Sequence, residues 1–473
     1  MQNKHKLSEV VKTLYEPIYT SGGIKSNGKI IGIYHSLKNE IWILDENEKP
    51  ESYINLNDQF ELSIQYKPDT AQMYIKLTEA CNFACPGCTT SVDKIHPSKA
   101  KNLDIETLEI YLESFLKSAN EKQMTSVKIK WAGGEPLLLK AYKLIVEAQS
   151  VLNKLKTKYT KMKIQQVILT NGVFIDEQKA RFFHQNNFSL SVSLWGTDKT
   201  QDLARKPRNK LETYEVIIKN ISILETNKVD YSINYVLTPS NASNFEKFIE
   251  SVWDINSSNF IGKNWTDKHP ITLFIAFFRP QEKINPYVAN IMYTKMLKGL
   301  RKGFSKIKEL IEEDIPIQPL NIIDYINLTG IAPYTCGSGI NYVAVGPEGA
   351  GACHEELFSL KSNINEIKNG KNIIDLVNKM HEKDLPFYNG MNYFGKKNFN
   401  YLMLHGGLGC PRIRKSENKN WKNKLGSTLN FYSAFIDELL ALECLRLINK
   451  EKQFIISATS KDPLTEGSMG KKP

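Results

Sequence analysis

From Met73 to Gln281 the apolar residues switch repeatedly between two spacings. MYIKLTE, SVKIKWAGG, KIQQVILTN, FSLSVSLWG, VDYSINYVL and ITLFIAFF are short runs rich in β-branched and aromatic side chains, the signature of strands buried on both faces. Between them, IETLEIYLESFLKSA, KAYKLIVEAQSVLNKL, DEQKARFFHQN, LETYEVIIKNISIL and NFEKFIESVWDI place apolar residues at helical spacing. Strand-helix-strand crossovers are right-handed almost without exception, so this rhythm predicts a parallel α/β sheet curling into a (β/α)6 partial TIM-type barrel with its helices outside. In such barrels the chemistry sits at the carboxyl ends of the strands.

The flanks read differently. Residues 1–72 carry one helical pattern and the strand-like runs KIIGIY, EIWILD and FELSIQY, which predict a small N-terminal α+β module whose role the sequence does not disclose. The barrel segment is taken as 73–320, including a long helical pattern from Ile291 to Glu313. A Gly-rich, Cys-bearing domain occupies 321–420, and 421–473 holds a helix from Phe431 to Asn449 and the tail SKDPLTEGSMGKKP, whose composition predicts disorder.

Composition narrows the class. At 473 residues the chain exceeds one ordinary core, and 41% hydrophobic residues suffice to fill two or three. No apolar run reaches the roughly 18 residues of a membrane span, and MQNKHKLSEVVKTLY is amphipathic rather than signal-like, so a soluble cytoplasmic protein is expected. The net charge of +11 invites a nucleic-acid reading, but only eight of 62 basic residues are arginine. Lysine spread along helices such as SVLNKLKTKYTKMK fits a solvated face or an acidic peptide partner better than a base-reading surface.

The odd count of seven cysteines speaks for thiols kept reduced for metal or redox work. Three of them, Cys81, Cys85 and Cys88, fall in CNFACPGC with the spacing C-x3-C-x2-C directly after the first strand. Three thiolates on a tight Pro-Gly bend can wrap one face of an iron-sulphur cubane, leaving one iron open to a substrate. The alternative is a structural zinc site completed by His96. Other strand ends gather at the same rim: Gly133, Gly134 and Glu135 in WAGGEP, Thr170 and Asn171 in LTNG, Ser193 in SVSLWG, Arg205 just beyond it, and Asn234 in the fifth strand.

In these motifs the chain resembles the radical S-adenosylmethionine (radical SAM) superfamily from about Met73 to Gln281. The resemblance implies that Cys81, Cys85 and Cys88 ligate a [4Fe-4S] cluster whose free iron chelates S-adenosyl-L-methionine. It implies that Gly133-Gly134-Glu135 is the GGE motif contacting the methionine amino group, and that Ser193 and Arg205 hold the methionine carboxylate and ribose. Thr170, Asn171 and Asn234 would line the same pocket. Two positions depart from the family: Gly87 stands where an aromatic residue usually covers the adenine, with Phe83 as a substitute, and Trp195 stands where an acidic residue is usual, as a shaper of the substrate pocket.

The remaining cysteines are Cys336, Cys353, Cys410 and Cys444. CGSGINYVAVGPEGAGACHE brackets a predicted hairpin between Cys336 and Cys353, and HGGLGCPRIR places Cys410 on another glycine-rich loop. This resembles a reduced SPASM or twitch extension, implying Cys336, Cys353 and Cys410 as ligands of one auxiliary [4Fe-4S] cluster. Cys444, in FIDELLALECLRLI, is either a fourth ligand or a packed helical residue, and in the second case His354, His405 or an open coordination site completes the cluster. A structural zinc site is the alternative for this set also.

The function implied is reductive cleavage of S-adenosylmethionine to a 5'-deoxyadenosyl radical that abstracts hydrogen from a peptide or protein side chain, as in ribosomal peptide maturation by crosslinking, thioether formation or epimerisation. The implied partners are a precursor peptide and an electron donor such as flavodoxin or ferredoxin. The alternatives are radical modification of a small molecule or nucleotide, and a zinc-stabilised nucleic-acid-binding protein without catalysis.

Overall fold

In the computed structural model, strands β1 (Val11–Tyr15), β2 (Ile24–Ser26), β3 (Lys29–His35), β4 (Glu40–Ile43) and β5 (Phe60–Ile64) are described as backbone, followed by residues 69–88, 90, 92–258, 272–277, 286–312, 321–323, 340–354, 357 and 363–381, with single residues at 434, 437, 438, 441 and 445. The N-terminal strands pair as β1 with β5 and as a three-stranded antiparallel sheet β2-β3-β4. Among the described residues of this stretch there is no helix: VKTLY, the end of the amphipathic start, is strand β1.

The main sheet has nine strands. Six are those expected: β6 (Thr70–Lys76), β7 (Ser126–Ala132), β8 (Lys163–Thr170), β9 (Phe188–Ser193), β10 (Asp230–Leu237) and β11 (Thr272–Phe277). They lie side by side in chain order, all parallel. Their crossovers carry α1 (Ile105–Glu121), α2 (Leu139–Lys158), α3 (Glu177–Gln185), α4 (Asp198–Ala204) with α5 (Tyr214–Thr226), and α6 (Phe245–Ser258); α7 (Pro286–Glu312) follows β11. Short α4 was not expected from periodicity, and it presents the loop that carries Arg205 and Arg208.

Beyond the six strands the sheet continues at both edges. β12 (Asn321–Ile323) adds in parallel to β11. On the other edge β13 (Tyr342–Gly346) pairs in parallel with β6, and β14 (Gly349–Gly351) closes an antiparallel hairpin on it. The expected Cys336–Cys353 hairpin therefore extends the barrel sheet beside its first strand, a juxtaposition of residues 270 apart that local periodicity cannot announce. α8 (Ile364–Lys368) and α9 (Ile373–His381) follow, and the Ile373 N–H bonds Ser118 Oγ on α1 at 3.2 Å.

Local chemistry explains the boundaries. Asp104 caps α1 by accepting from the Thr107 N–H at 2.8 Å, and Asp176 caps α3 by accepting from the Lys179 N–H at 2.8 Å. On α1, Leu108, Tyr111, Leu112, Phe115, Leu116 and Ala119 form one buried stripe. It packs in the same core as Ala71, Met73 and Ile75, the helix-facing side of β6. Burying each large side chain contributes about 1.5–3 kcal/mol, so this layer fixes strand register. The alternate residues Gln72, Tyr74 and Lys76 are buried on the opposite, barrel-interior face, with Lys128 and Lys130 on β7. Ala434, Asp437, Glu438, Ala441 and Leu445 are helical, within the helix expected near the C-terminus.

Candidate functional site

Gly133, Gly134, Glu135, Thr170, Asn171 and Ser193 lie at the carboxyl ends of β7, β8 and β9, whereas Asn234 lies inside β10, level with Ser193 and three residues before that strand ends. The chain leaves β6 and is at once tied to its neighbours: Leu77 N–H bonds Ala132 O at 2.9 Å, Gly134 N–H bonds Thr78 O at 2.7 Å, and Glu135 N–H bonds Ala80 O at 2.9 Å. Gly133 and Gly134 serve this contact. A Cβ at Gly134 would stand 1.9 Å from Ala80 O, and one at Gly133 2.5 Å from Thr78 O. The glycines thus let the second strand end press against the base of the cysteine loop, a close backbone approach rather than an open floor.

Cys85 to Cys88 form a turn closed by Cys88 N–H to Cys85 O at 3.2 Å, with Pro86 and then Gly87 at φ 71°. Proline first and a left-handed second residue define a type II turn, for which glycine is the undemanding occupant. This explains the departure at position 87. The substitute considered, Phe83, is only 1% exposed and packs with Cys81, Cys85 and Val92, so it has no exposed face with which to cover a ligand.

Phe83 supports Arg205 instead. The guanidinium carbon lies 5.3 Å from the Phe83 ring centroid and 5.0 Å from that of Trp195, held between two aromatic faces. One terminal nitrogen donates to Ser193 O at 2.8 Å. Ser193 and Asn234 are register partners on β9 and β10, and Leu194 N–H bonds Asn234 O at 3.0 Å, so Ser193, Arg205 and Asn234 form one wall.

Glu135 is fully buried at the centre. Its carboxylate accepts from Thr170 Oγ1 at 2.7 Å, Asn171 N–H at 2.8 Å and Leu137 N–H at 3.0 Å. Burial raises its pKa and these three bonds oppose the rise. Asn171 Nδ2 then donates to Asn82 Oδ1 at 2.7 Å, inside the cysteine loop. Thr170 and Asn171 are brought to the loop, with Glu135 as the joint between the second and third strand ends.

Arg208 is a site residue that sequence reasoning missed. It donates to Cys81 O at 3.1 Å and to the carbonyls of Val92, Asp93 and Ile95 at 3.0–3.2 Å. Its own N–H bonds Asn82 O at 2.9 Å, and Ala84 N–H bonds Lys206 O at 2.7 Å. The loop carrying Arg205 therefore clamps the cysteine loop from the outside. The only signal in the sequence was a second arginine in ARKPR.

Among the described residues, Cys81, Cys85, Cys88 and Cys353 are not joined in disulfides. Burial pushes the Cys81 thiol up to about 12, with the Glu135 charge adding to it. Burial also raises Cys85, opposed by the charge and hydrogen bonding of Arg205. A coordinated metal deprotonates such thiols outright. His96, the fourth ligand of the zinc alternative, is exposed and spends Nδ1 capping a short 3-10 turn with Ser98. Among the described residues no three His, Cys, Asp or Glu side chains close around one ion position. A cluster hands each thiolate its own iron and does not need them to. With His96 turned outward, the three thiols fit a cubane that leaves one iron open better than a structural zinc site, which takes four protein donors.

The second cysteine set is only partly described. Cys353 follows β14. His354 stacks on Tyr74 at 4.7 Å between ring centroids and shares a 2.9 Å hydrogen bond between Nδ1 and Tyr342 OH. Cys336, Cys410, Cys444 and His405 lie outside the described residues, as does the tail.

Comparison with known proteins agrees with this geometry. Residues 75–252, within the barrel, match the family model of the Radical SAM superfamily. The cysteine-type anaerobic sulfatase-maturating enzyme of Clostridium novyi (strain NT) is 30% identical over 167 residues, 35% of this chain and 43% of that protein. The serine-type anaerobic sulfatase-maturating enzyme of Klebsiella aerogenes is 27% identical over 162 residues, 33% of this chain and 37% of that protein. The GTP 3',8-cyclase of Mannheimia succiniciproducens is 25% identical over 269 residues, 55% of this chain and 69% of that protein. The chain spans about half the length of the sulfatase-maturating relatives it matches first. The solved structure of native anSMEcpe with bound AdoMet superposes with a TM-score of 0.54 at 18% identity, covering 80% of this chain and 100% of that one, which supports the fold. No helix among the described residues is long and apolar enough to cross a membrane.

Proposed function

We propose that this barrel is a radical SAM domain that binds a [4Fe-4S] cluster and S-adenosylmethionine and initiates hydrogen abstraction from a peptide or protein side chain. The observation that carries the reading is the junction of the C-x3-C-x2-C loop with the Phe83-Arg205-Trp195 stack at one barrel rim. In this reading Cys81, Cys85 and Cys88 hold the cluster, and Ser193, Arg205 and Asn234 face the methionine end of the cosubstrate, with Thr170 and Asn171 shaping the floor. When bound, the cluster supplies the electron that splits S-adenosylmethionine into methionine and a 5'-deoxyadenosyl radical.

The residues of the chain do the rest. Glu135 and Arg208 fix the loop by hydrogen bonds on its inner and outer sides. Arg205, pinned by two rings, offers a charge without rotational freedom, which lowers the ordering cost of binding a carboxylate. Similarity to sulfatase-maturating enzymes supports a peptide or protein substrate; similarity to a GTP cyclase keeps a nucleotide as the second reading.

The auxiliary cluster on Cys336, Cys353 and Cys410, with Cys444 or another group as fourth ligand, a flavodoxin or ferredoxin donor and a cytoplasmic setting belong to the same proposal; boundaries at 72 and 320 do not, because β6 begins at Thr70 and β12, β13 and β14 belong to the barrel sheet. The test is anaerobic reconstitution with iron and sulphide, then reduction with dithionite in the presence of S-adenosylmethionine. Formation of 5'-deoxyadenosine is expected. A protein that loads iron and sulphide yet never cleaves the cosubstrate refutes the reading. Mass spectrometry of candidate peptides after coexpression, against incubation with GTP, separates the two substrate classes.

A further inference from the structure

Among the described residues, four buried polar atoms at the β9–β10 rim have no hydrogen-bond partner: Arg205 Nε, Trp195 Nε1, Gln201 Nε2 and Asn234 Oδ1. Three are donors, and they belong to residues already joined to one another. Arg205 stacks on Trp195, Gln201 Oε1 accepts from the Trp195 backbone N–H at 2.7 Å, and Arg205 N–H bonds Gln201 O at 2.8 Å. A buried donor left unmatched costs about 1–3 kcal/mol, so a wall that gathers three of them is built for a ligand rich in acceptors. A carboxylate supplies two oxygens and up to four lone-pair sites.

Trp195 is the residue here that departs from the acidic residue usual at this strand end. An acid would place a negative charge next to Arg205 and compete for it. Indole does the reverse: its face holds the guanidinium, and its edge offers a neutral N–H. We infer that Trp195 is a binding residue for the carboxylate-bearing ligand of this rim, donating from Nε1 to the oxygens that Arg205 attracts. This rests on the reading of the site as one for S-adenosylmethionine and assigns to Trp195 a share of its methionine end.

The test is calorimetric binding to anaerobically reconstituted full-length protein, with two probes: S-adenosylmethionine, and methylthioadenosine, which lacks the amino acid moiety. Trp195→Phe keeps a ring for the stack and deletes the donor. The expected result is S-adenosylmethionine binding weakened about 10-fold or more, the loss of one hydrogen bond to a charged acceptor, with methylthioadenosine binding unchanged. Trp195→His, which keeps a ring N–H, is expected to recover part of the loss and provides a second variant should Trp195→Phe fail to fold by circular dichroism.

Trp195→Phe binding S-adenosylmethionine as tightly as wild type overturns the inference and leaves the proposed function standing. Equal weakening toward both probes also overturns it, since the loss would then not lie at the carboxylate. Wild-type protein that binds no S-adenosylmethionine removes both.

Discussion

Replacing Gly134 by alanine tests whether the second strand end shapes the cysteine loop. The new Cβ would meet Ala80 O at 1.9 Å and Ala80 C at 2.5 Å, both backbone atoms with no rotamer to escape into. Ordinary contact begins near 3.4 Å, so the two segments must part by about 1.5 Å. That separation breaks Glu135 N–H to Ala80 O and Gly134 N–H to Thr78 O, which stand at 2.9 and 2.7 Å. Overpacking costs about 1–3 kcal/mol and each of the two lost hydrogen bonds about 1–3 kcal/mol, so a loss of about 3–9 kcal/mol falls on the segment that ends in Cys81. The assay is iron and sulphide content after anaerobic reconstitution, beside the melting temperature. Gly370→Ala is the control, since its φ is 85° but no described residue comes within 4 Å of the added Cβ, so it carries backbone strain alone. Gly134→Ala is expected to lose most of its cluster while Gly370→Ala loads fully. A Gly134→Ala protein that loads and cleaves S-adenosylmethionine like wild type would refute the close-approach account.

Other expectations follow from the same contacts. Arg208→Lys keeps the charge but not the fork that reaches four carbonyls, so it is expected to lower iron loading nearly as far as Arg208→Ala; full loading of the lysine variant would reduce Arg208 to a counter-charge. Changing Cys81, Cys85 and Cys88 together to alanine is expected to abolish reductive cleavage of S-adenosylmethionine, whereas Cys353→Ala is expected to lower iron by about one cluster and spare that cleavage, both checked by metal analysis and product chromatography. Lys76→Met strands the carboxylates of Glu79 and Glu348, now at 3.1 and 3.2 Å from the ammonium, at a cost of about 3–5 kcal/mol. In wild type, burial pushes Glu79 up but its hydrogen bonds and Lys76 bring it below the usual range, while burial holds Glu348 above it. Without the lysine both carboxylates hold protons above their unfolded pKa, a stabilisation present at low pH and lost as pH rises. The deficit of Lys76→Met is therefore expected to shrink toward pH 4 and grow toward pH 8; a pH-independent deficit in denaturant melts would contradict the buried triad.

What the sequence determined by itself is the set of elements and the order of the rim. Six strands and the helices between them, short α4 excepted, were legible because a strand buried on both faces and a helix buried on one leave different apolar periods, set locally by backbone geometry. Cys81, Cys85, Cys88, Gly134, Glu135, Thr170 and Ser193 were legible as rim residues for the same reason, since a parallel barrel sends every strand end to one face. Tertiary structure alone decided what those residues do to one another. Glu135 spans two strand ends, Arg208 reaches back across 127 positions to Cys81, and the hairpin after Tyr342 pairs with β6. None of this has a period, because a hydrogen bond between segments far apart in the chain depends on the distance that folding creates and not on the spacing along the sequence.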